Sequence, residues 1–267
     1  MRLAADNLHA LNSSVADALC KLDPVPLRRL ASQFELPGVE LIDINPGFLS
    51  RRNEDRMEFM VEAVQKATRR RLILDSPSAR VLARGLAACR EKPILSALSL
   101  EPQKIEEILP LAVEHRTGLV LLLMDERSRV PPSMEERLAV ASELRERALA
   151  AGLEDSDLIY DPVLPNLSWP DAAFQVGEVI RTVRMLSGWS FLPEPAHTMV
   201  GLSNLRSGLR RRVPLALETT CMAMLAGAGL NLALADVLRQ GFMAAFESLR
   251  PYAGCTAKPL AGCGWLL

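Results

Sequence analysis

The chain has 267 residues, of which 49% are apolar, and its 31 basic and 32 acidic side chains leave a net charge of −1. This near balance argues against nucleic acid as a partner, because nucleic-acid binding depends on a strongly basic surface. No apolar run approaches the roughly 20 residues that a membrane helix needs, and the N-terminus lacks the features of a signal peptide. We therefore expect a cytoplasmic protein that binds neither nucleic acid nor membrane.

Cysteine and histidine usage gives no indication of a bound metal. The five cysteines are scattered singly along the chain, and no CxxC, HxH or HExxH spacing occurs. An odd number of isolated thiols is typical of a reducing compartment and not of a disulfide framework. The sequence therefore predicts free cysteines and no protein-bound metal.

Eight short segments have the composition of buried parallel strands, which are four to eight residues long and apolar on both faces. The first of them is the weakest. In chain order they are Arg2–Ala5, Gly38–Ile44, Arg71–Asp75, Pro93–Leu98, Gly118–Met124, Leu158–Asp161, Thr198–Ser203 and Gly229–Asp236.

Longer segments with apolar residues at helical spacing separate these strands. A capping box of Ser133 with Glu136 marks the beginning of one helix, and Pro102 stands in the first turn of another. The predicted helices include Ser78–Cys89, Ser133–Gly152, Val176–Leu186, Leu215–Leu225 and Val237–Leu249.

This alternation predicts a parallel sheet with helices outside it, and both a closed (β/α)₈ barrel and an open doubly wound sheet satisfy the pattern. No G-x-G-x-x-G string follows any strand, which disfavours an open dinucleotide-binding fold. The length is also close to the roughly 250 residues of a barrel. No linker or change of composition divides the chain. We therefore predict an α/β protein with a single TIM-barrel domain over residues 1–267.

In such a barrel the functional site lies at the C-terminal ends of the strands. Asp75 is followed by Ser76 and Ser78, either of which can cap the next helix, and Asp161 precedes a segment where no helix begins. A buried carboxylate without a partner is costly, so both aspartates are candidates for binding a ligand with adjacent N–H donors. Other polar residues at or near predicted strand ends are Asp43, Asn45, Ser96, Asp125, Ser203, Asn204 and Asp236.

Five short sequence strings indicate a family, because they occur in the same order and at nearly the same spacing as in its members. They are LIDINPG (41–47), LILDSPSA (72–79), LPLAVEH (109–115), LIYDPVLP (158–165) and VGLSNLRSG (200–208). With these strings the chain resembles the methyltetrahydrofolate:corrinoid/iron–sulfur protein methyltransferases, within the wider group of pterin-binding, dihydropteroate-synthase-like barrels. The similarity covers nearly the whole chain, from about Asp23 to Ala257.

The resemblance implies roles for individual residues. Asp75 and Asp161 would bind the pterin ring, Asn204 would be the catalytic residue that supports protonation at N5, and Asn45 matches a position near the ligand. The implied substrate is tetrahydrofolate or methyltetrahydrofolate. The implied methyl acceptor is the Co(I) corrinoid (cobalamin) of a partner protein, either a corrinoid protein or a corrinoid/iron–sulfur protein. The resemblance also implies a homodimer, for which the apolar outer helices 215–229 and 237–249 are suitable.

Several positions depart from the family pattern. Ser96 replaces an asparagine that contacts the pterin, and a hydroxyl offers fewer hydrogen bonds than an amide. Asp6 and Asn7 stand where the family has Glu and Arg, and Asp125 replaces an Asn. These four residues are accordingly further candidates for the ligand site.

The departures leave two alternatives to a methyltransferase. One is a non-catalytic paralogue that binds a pterin or a corrinoid protein. The departures from the family pattern at Ser96 and Asn7 are the reason for considering it. The other is a dihydropteroate synthase, which is disfavoured because the segment Ser203–Arg206 has no Lys and no D-P-G-x-G-F string follows Asp161.

Overall fold

The computed structural model describes residues 1–188, 190–209 and 213–249. Eight parallel strands close into a barrel in which each strand is hydrogen-bonded to the next and β8 returns to β1. The strands are β1 (Arg2–His9), β2 (Val39–Asn45), β3 (Arg71–Asp75), β4 (Ile94–Leu98), β5 (Gly118–Leu122), β6 (Leu158–Asp161), β7 (His197–Gly201) and β8 (Leu232–Ala235). The predicted (β/α)₈ barrel is confirmed, while residues 250–267 of the predicted domain lie outside the described residues.

Helices surround the barrel. Within the described residues they are α1 (Ser13–Lys21), α2 (Pro24–Ser32), α3 (Asp55–Gln65), α4 (Ala79–Ala88), α5 (Pro102–His115), α6 (Met134–Ala150), α7 (Ala172–Leu186), α8 (Leu215–Ala228) and α9 (Phe242–Leu249). A 3₁₀ turn, Leu202–Arg206, follows β7. In the part of the chain that the structure covers, none of these helices combines the length and the apolar character needed to cross a membrane.

The clearest differences from the sequence-based expectation concern four elements. The first strand continues to His9, because Asp6 and Asn7 are buried in the sheet although they are polar. Helices α1 and α2 were not predicted, although Asp23 caps α2 and Pro24 occupies its first turn. The last helix begins at Phe242 instead of Val237, because the segment directly after β8 forms turns.

Side chains inside the barrel form two layers. Residues two apart on a strand point to the same face of the sheet. The barrel interior contains the apolar side chains of Ala4, Leu41, Ile73, Ile94 and Ile159. The residues two positions after each of these therefore also face the interior. Those residues are Asp6, Asp43, Asp75, Ser96 and Asp161. An apolar layer therefore fills the barrel, and a polar layer lies above it toward the C-terminal ends of the strands.

Candidate pterin-binding site

The polar layer at the barrel mouth is a group of buried carboxyl groups that influence one another electrostatically. Asp43 is 3% exposed and Asp161 is 6% exposed. Burial is the main cause that raises the pKa of both Asp43 and Asp161; the negative charge of Asp75 raises both further, and the charge of Asp6 adds to the effect on Asp43. The closed barrel therefore brings together the two aspartates, Asp75 and Asp161, that the sequence analysis selected.

Asp75, at the end of β3, is held by its neighbours on both adjoining strands. The Asn45 amide donates a hydrogen bond to its Oδ2 atom over 2.7 Å, and the Ser96 hydroxyl also donates to this carboxylate. Burial raises the pKa of Asp75 to about 6, although these hydrogen bonds and the nearby Lys104 ammonium act in the opposite direction. The Asn45 oxygen in turn accepts from the Gly47 backbone at 2.8 Å. Asn45 and Ser96 thus lie at the barrel mouth, where the sequence analysis expected them to contact a ligand. In the structure both side chains donate hydrogen bonds to Asp75.

Asp161, at the end of β6, is held by its own loop. Its Oδ1 atom accepts a hydrogen bond from the Val163 backbone nitrogen at 2.8 Å. Burial raises the pKa of Asp161 to about 7, the Val163 hydrogen bond lowers it, and the charge of Asp75 raises it further. No helix begins here, since α7 starts at Ala172, but one of the two carboxylate oxygens is engaged in a turn. Val163 has φ 62°, a left-handed conformation that is strained for a β-branched residue.

Two further aspartates complete the layer. Burial, followed by the charges of Asp75 and Asp6, raises the pKa of Asp43 well above its ordinary value, and its Oδ1 atom has no partner among the described residues. Burial also raises the pKa of Asp6 to about 6, while a hydrogen bond from Ser203 lowers it. These raised pKa values show that burial destabilises the ionised forms of the four carboxyl groups, and a ligand that donates several N–H groups would stabilise those ionised forms.

Asn204 lies in the 3₁₀ turn after β7, beside Ser203. Its amide packs over Gly201, where an added Cβ would lie 3.3 Å from the amide atoms. An amide offers both donors and an acceptor for a ligand.

Asn7 and Asp236 form a second polar group at the same end of the barrel. The Asn7 amide donates to Asp236 Oδ1 over 2.5 Å, and Arg206 donates to Asp236 Oδ2 over 3.2 Å. The carboxylate of Asp236 therefore joins the ends of β1, β8 and the 3₁₀ turn. Its role is not that of a helix cap, because α9 begins only at Phe242.

Asp125 is the one acidic candidate for which no interaction with the polar layer at the barrel mouth is seen among the described residues. Its oxygens accept from the backbone nitrogens of Arg127 and Arg129 and from the Arg129 guanidinium. These hydrogen bonds, those with Arg129 first, lower the pKa of Asp125. The residue organises its own loop after β5.

Two charged residues at this end of the barrel were not selected from the sequence. Lys104, in the first turn of α5, lies near Asp75 and pairs with Glu101 at 2.7 Å. Arg206 stands in a string that the sequence analysis quoted, but its contact with Asp236 depends on barrel closure. The position of Lys104 just after a strand end was the available signal, because helices of a barrel begin at the mouth. In the chain segments that the structure describes, no group of three or more His, Cys, Asp or Glu side chains is arranged to hold a metal ion.

Comparison with known proteins agrees with this geometry. The sequence profile described as "Pterin binding enzyme" matches residues 10–232. The methylcorrinoid:tetrahydrofolate methyltransferase of Eubacterium limosum is 22% identical over 213 residues, which cover 79% of this chain and 77% of that protein.

Solved structures with the same fold include dihydropteroate synthases. The Coxiella burnetii enzyme in complex with pteroic acid has a TM-score of 0.69 and 14% identity, covering 95% of this chain and 93% of that one. The Yersinia pestis enzyme with a pterine–sulfa conjugate has a TM-score of 0.62 and 18% identity, covering 94% and 93%. At these identities the structural likeness establishes the fold, and the profile match establishes the family. This chain belongs to the family of pterin-binding enzymes.

Proposed function

We propose that this protein is a methyltransferase that moves the N5-methyl group of a methyltetrahydrofolate-type pterin to the Co(I) corrinoid of a partner protein, or in the reverse direction. The observation that carries the proposal is that the carboxyl groups of half-buried Asp75 and buried Asp161 share one polar layer, with the Asn204 amide at the same end of the barrel. A reduced pterin presents N–H donors along one edge, which two carboxyl groups can accept. The relative from Eubacterium limosum supports the choice of reaction.

The proposed roles follow from the chemistry of the transfer. The N5–methyl bond breaks with its electron pair remaining on N5, while the cobalt uses its own electron pair to form the new bond to carbon. Without a proton, N5 would have to leave as a high-energy nitrogen anion, so a proton from solvent must be added at N5 for the pterin to leave as a neutral amine. Asn204 would hydrogen-bond at N5 as its charge changes, which is electrostatic preorganisation, and Asp75 and Asp161 would align the ring. No protein nucleophile takes part.

Titration calorimetry with methyltetrahydrofolate tests the binding step. We expect wild-type protein to bind, and Asp161→Ala to lose binding. Asp125→Ala is the matched control, since this aspartate is bonded within its own loop, and it should bind as wild type does. If Asp161→Ala binds unchanged, the proposed site is wrong.

Mixing the protein with methyltetrahydrofolate and free Co(I) cobalamin tests the chemical step, because methylcobalamin is identified by its visible spectrum. Formation of methylcobalamin that depends on Asn204 supports the methyltransferase. Binding without any transfer favours the non-catalytic paralogue, for which the engagement of Ser96 with Asp75 is the relevant observation.

We also propose that the protein is a homodimer in the cytoplasm. Leu217 and Met224, seven residues apart on α8, are 52% and 51% exposed, and an apolar strip of this kind is suited to a subunit interface. Sedimentation equilibrium should give twice the chain mass of 29.3 kDa, and a single species at the chain mass would exclude the dimer.

A further inference from the structure

His9 is a titratable residue at the barrel mouth to which the proposed function gives no role. It is the last residue of β1 and pairs in register with Asn45, the last residue of β2. Paired residues of parallel strands direct their side chains to the same face, and Asn45 faces the interior, where it contacts Asp75. The irregularity of the register between Ala5 and Leu8 turns His9 to this face as well. The imidazole therefore lies on the outer side of the polar layer, toward the mouth.

The end of β1 is bonded to the turn that carries Asn204. Asp6 accepts a hydrogen bond from Ser203, which precedes Asn204 in that turn. Asn7 donates to Asp236, which follows β8. The end of this strand therefore lies beside the amide that is proposed to hydrogen-bond at N5 of the pterin.

The backbone around His9 is fixed, and its ring is partly closed off. The His9 carbonyl accepts from the Asn12 nitrogen at 2.9 Å, and the Ala10 nitrogen donates to the Asn45 carbonyl at 3.0 Å. The His9 side chain is half-buried, and its Nδ1 atom is buried with no hydrogen-bond partner among the described residues. Nε2 is therefore the ring nitrogen left for contact with a ligand.

The surroundings of the ring favour release of a proton. Burial lowers the pKa of His9, the charge of Arg206 lowers it further, and the charge of Asp236 acts in the opposite direction. On the side of β2 the neighbouring residue is the uncharged Asn45, and the titratable Asp43 is buried one layer deeper. The protonated ring is thus a stronger acid than a free histidine side chain. It becomes neutral when it gives up the proton, whereas a buried carboxyl group would be left as a costly anion.

We propose that His9 is the catalytic acid that passes a solvent proton to N5 of the pterin through its Nε2 atom. The inference rests on the proposed function and names the residue that supplies the proton. The Nε2–H bond breaks as the electron pair of N5 forms the N5–H bond. The methyl group then moves to the electron pair of Co(I), which is formally oxidised to Co(III), and the electrons of the N5–methyl bond stay on N5. The neutral imidazole regains a proton from water. Asn204 stabilises N5 but cannot be the donor, because an amide does not act as an acid at these pH values.

Chemical rescue tests this role. His9→Ala protein, saturated with methyltetrahydrofolate and mixed with free Co(I) cobalamin at pH 7, should form methylcobalamin about 100-fold more slowly than wild type, or slower still. Added imidazole should restore part of the rate. Ring-substituted imidazoles of lower pKa, compared at equal concentrations of the protonated form, should restore more of it. A slow rate that no imidazole raises would show that His9 only supports the structure, and would overturn the inference.

Matched variants separate the possible failures. His115→Ala removes an exposed histidine at the last residue of α5, at the opposite end of the barrel, and should transfer as wild type does with or without imidazole. His9→Ala and the bulkier His9→Gln should both bind methyltetrahydrofolate within about twofold of wild type by calorimetry. Lost binding in both variants, or transfer by His9→Gln at the wild-type rate, would refute the role of His9 and leave the proposed function standing. Wild-type protein that forms no methylcobalamin would refute the proposed reaction and this inference together.

Discussion

The amide nitrogen of Asn45 lies 2.7 Å from the Oδ2 atom of Asp75, so a residue expected to touch the ligand holds the aspartate that is proposed to bind it. The contact joins the ends of β2 and β3. It fixes the rotamer of Asp75 and stabilises its ionised form, because the amide donates to the carboxylate. Asn45 is therefore expected to act through Asp75.

Asn45→Ala should move the pH dependence of pterin binding to higher pH. The hydrogen bond from Asn45 lowers the pKa of Asp75, so its loss raises that pKa from about 6, and Asp75 becomes ionised only at higher pH. We expect weaker binding of methyltetrahydrofolate near pH 6 and recovery near pH 8.5, measured by calorimetry. Ser96→Ala should shift the profile in the same direction. A uniform loss of affinity at every pH would contradict this account.

Asp161→Asn should stabilise the unliganded protein at neutral pH. Burial raises the pKa of Asp161 from 3.8 to about 7, so its contribution to stability is complete below pH 3.8 and is lost as pH rises to about 7. The neutral amide avoids this loss and its oxygen can still accept from Val163. We expect a gain on the order of 3 kcal/mol in the free energy of unfolding at pH 7.5, and almost none at pH 4. Urea unfolding of both proteins at the two pH values measures the difference; a gain that is independent of pH would speak against ionisation of Asp161.

Gly201→Ala should slow methyl transfer because the added methyl group displaces the Asn204 amide. Backbone strain is not expected to contribute. Gly201 has φ −83°, which alanine adopts readily, but the new Cβ would lie 3.3 Å from the Asn204 amide. Displacing that amide by a few tenths of an ångström should slow methyl transfer by roughly 3- to 10-fold. Gly177→Ala is the control, because nothing lies within 4 Å of its added Cβ on α7, and it should raise stability by about 0.5–1 kcal/mol without altering transfer. Equal rates in the two variants would show that Asn204 tolerates the added methyl group.

Val163→Asn should raise the stability of the protein without weakening the Asp161 turn. Val163 has φ 62°, and asparagine visits this conformation far more readily than a β-branched residue does. Its backbone nitrogen still donates to Asp161, so we expect about 1 kcal/mol of additional stability by urea unfolding and unchanged pterin affinity. Val163→Thr keeps the branch at Cβ and should give no gain. The same gain from threonine would mean that strain at this residue is not the cause.

The fold followed from local pattern because each buried strand is a short apolar run. β3 and β6 were predicted with the bounds that the structure gives them, Arg71–Asp75 and Leu158–Asp161. β1 was predicted too short, because burial of Asp6 and Asn7 depends on partners from distant parts of the chain. The shorter α9 has a similar origin, since Asp236 bonds to Asn7 and Arg206 in place of starting a helix.

The sequence by itself determined the alternation within strands, in which an apolar interior residue such as Ile73 or Ile159 is followed two positions later by Asp75 or Asp161. This period-two pattern is local, so it can be read without coordinates. Only the tertiary structure decided which polar groups meet, because Asn45 and Asp75 are 30 residues apart and Asn7 and Asp236 are 229 apart. Their pairing depends on the register of neighbouring strands and on closure of β8 against β1, which place the strand ends in one layer.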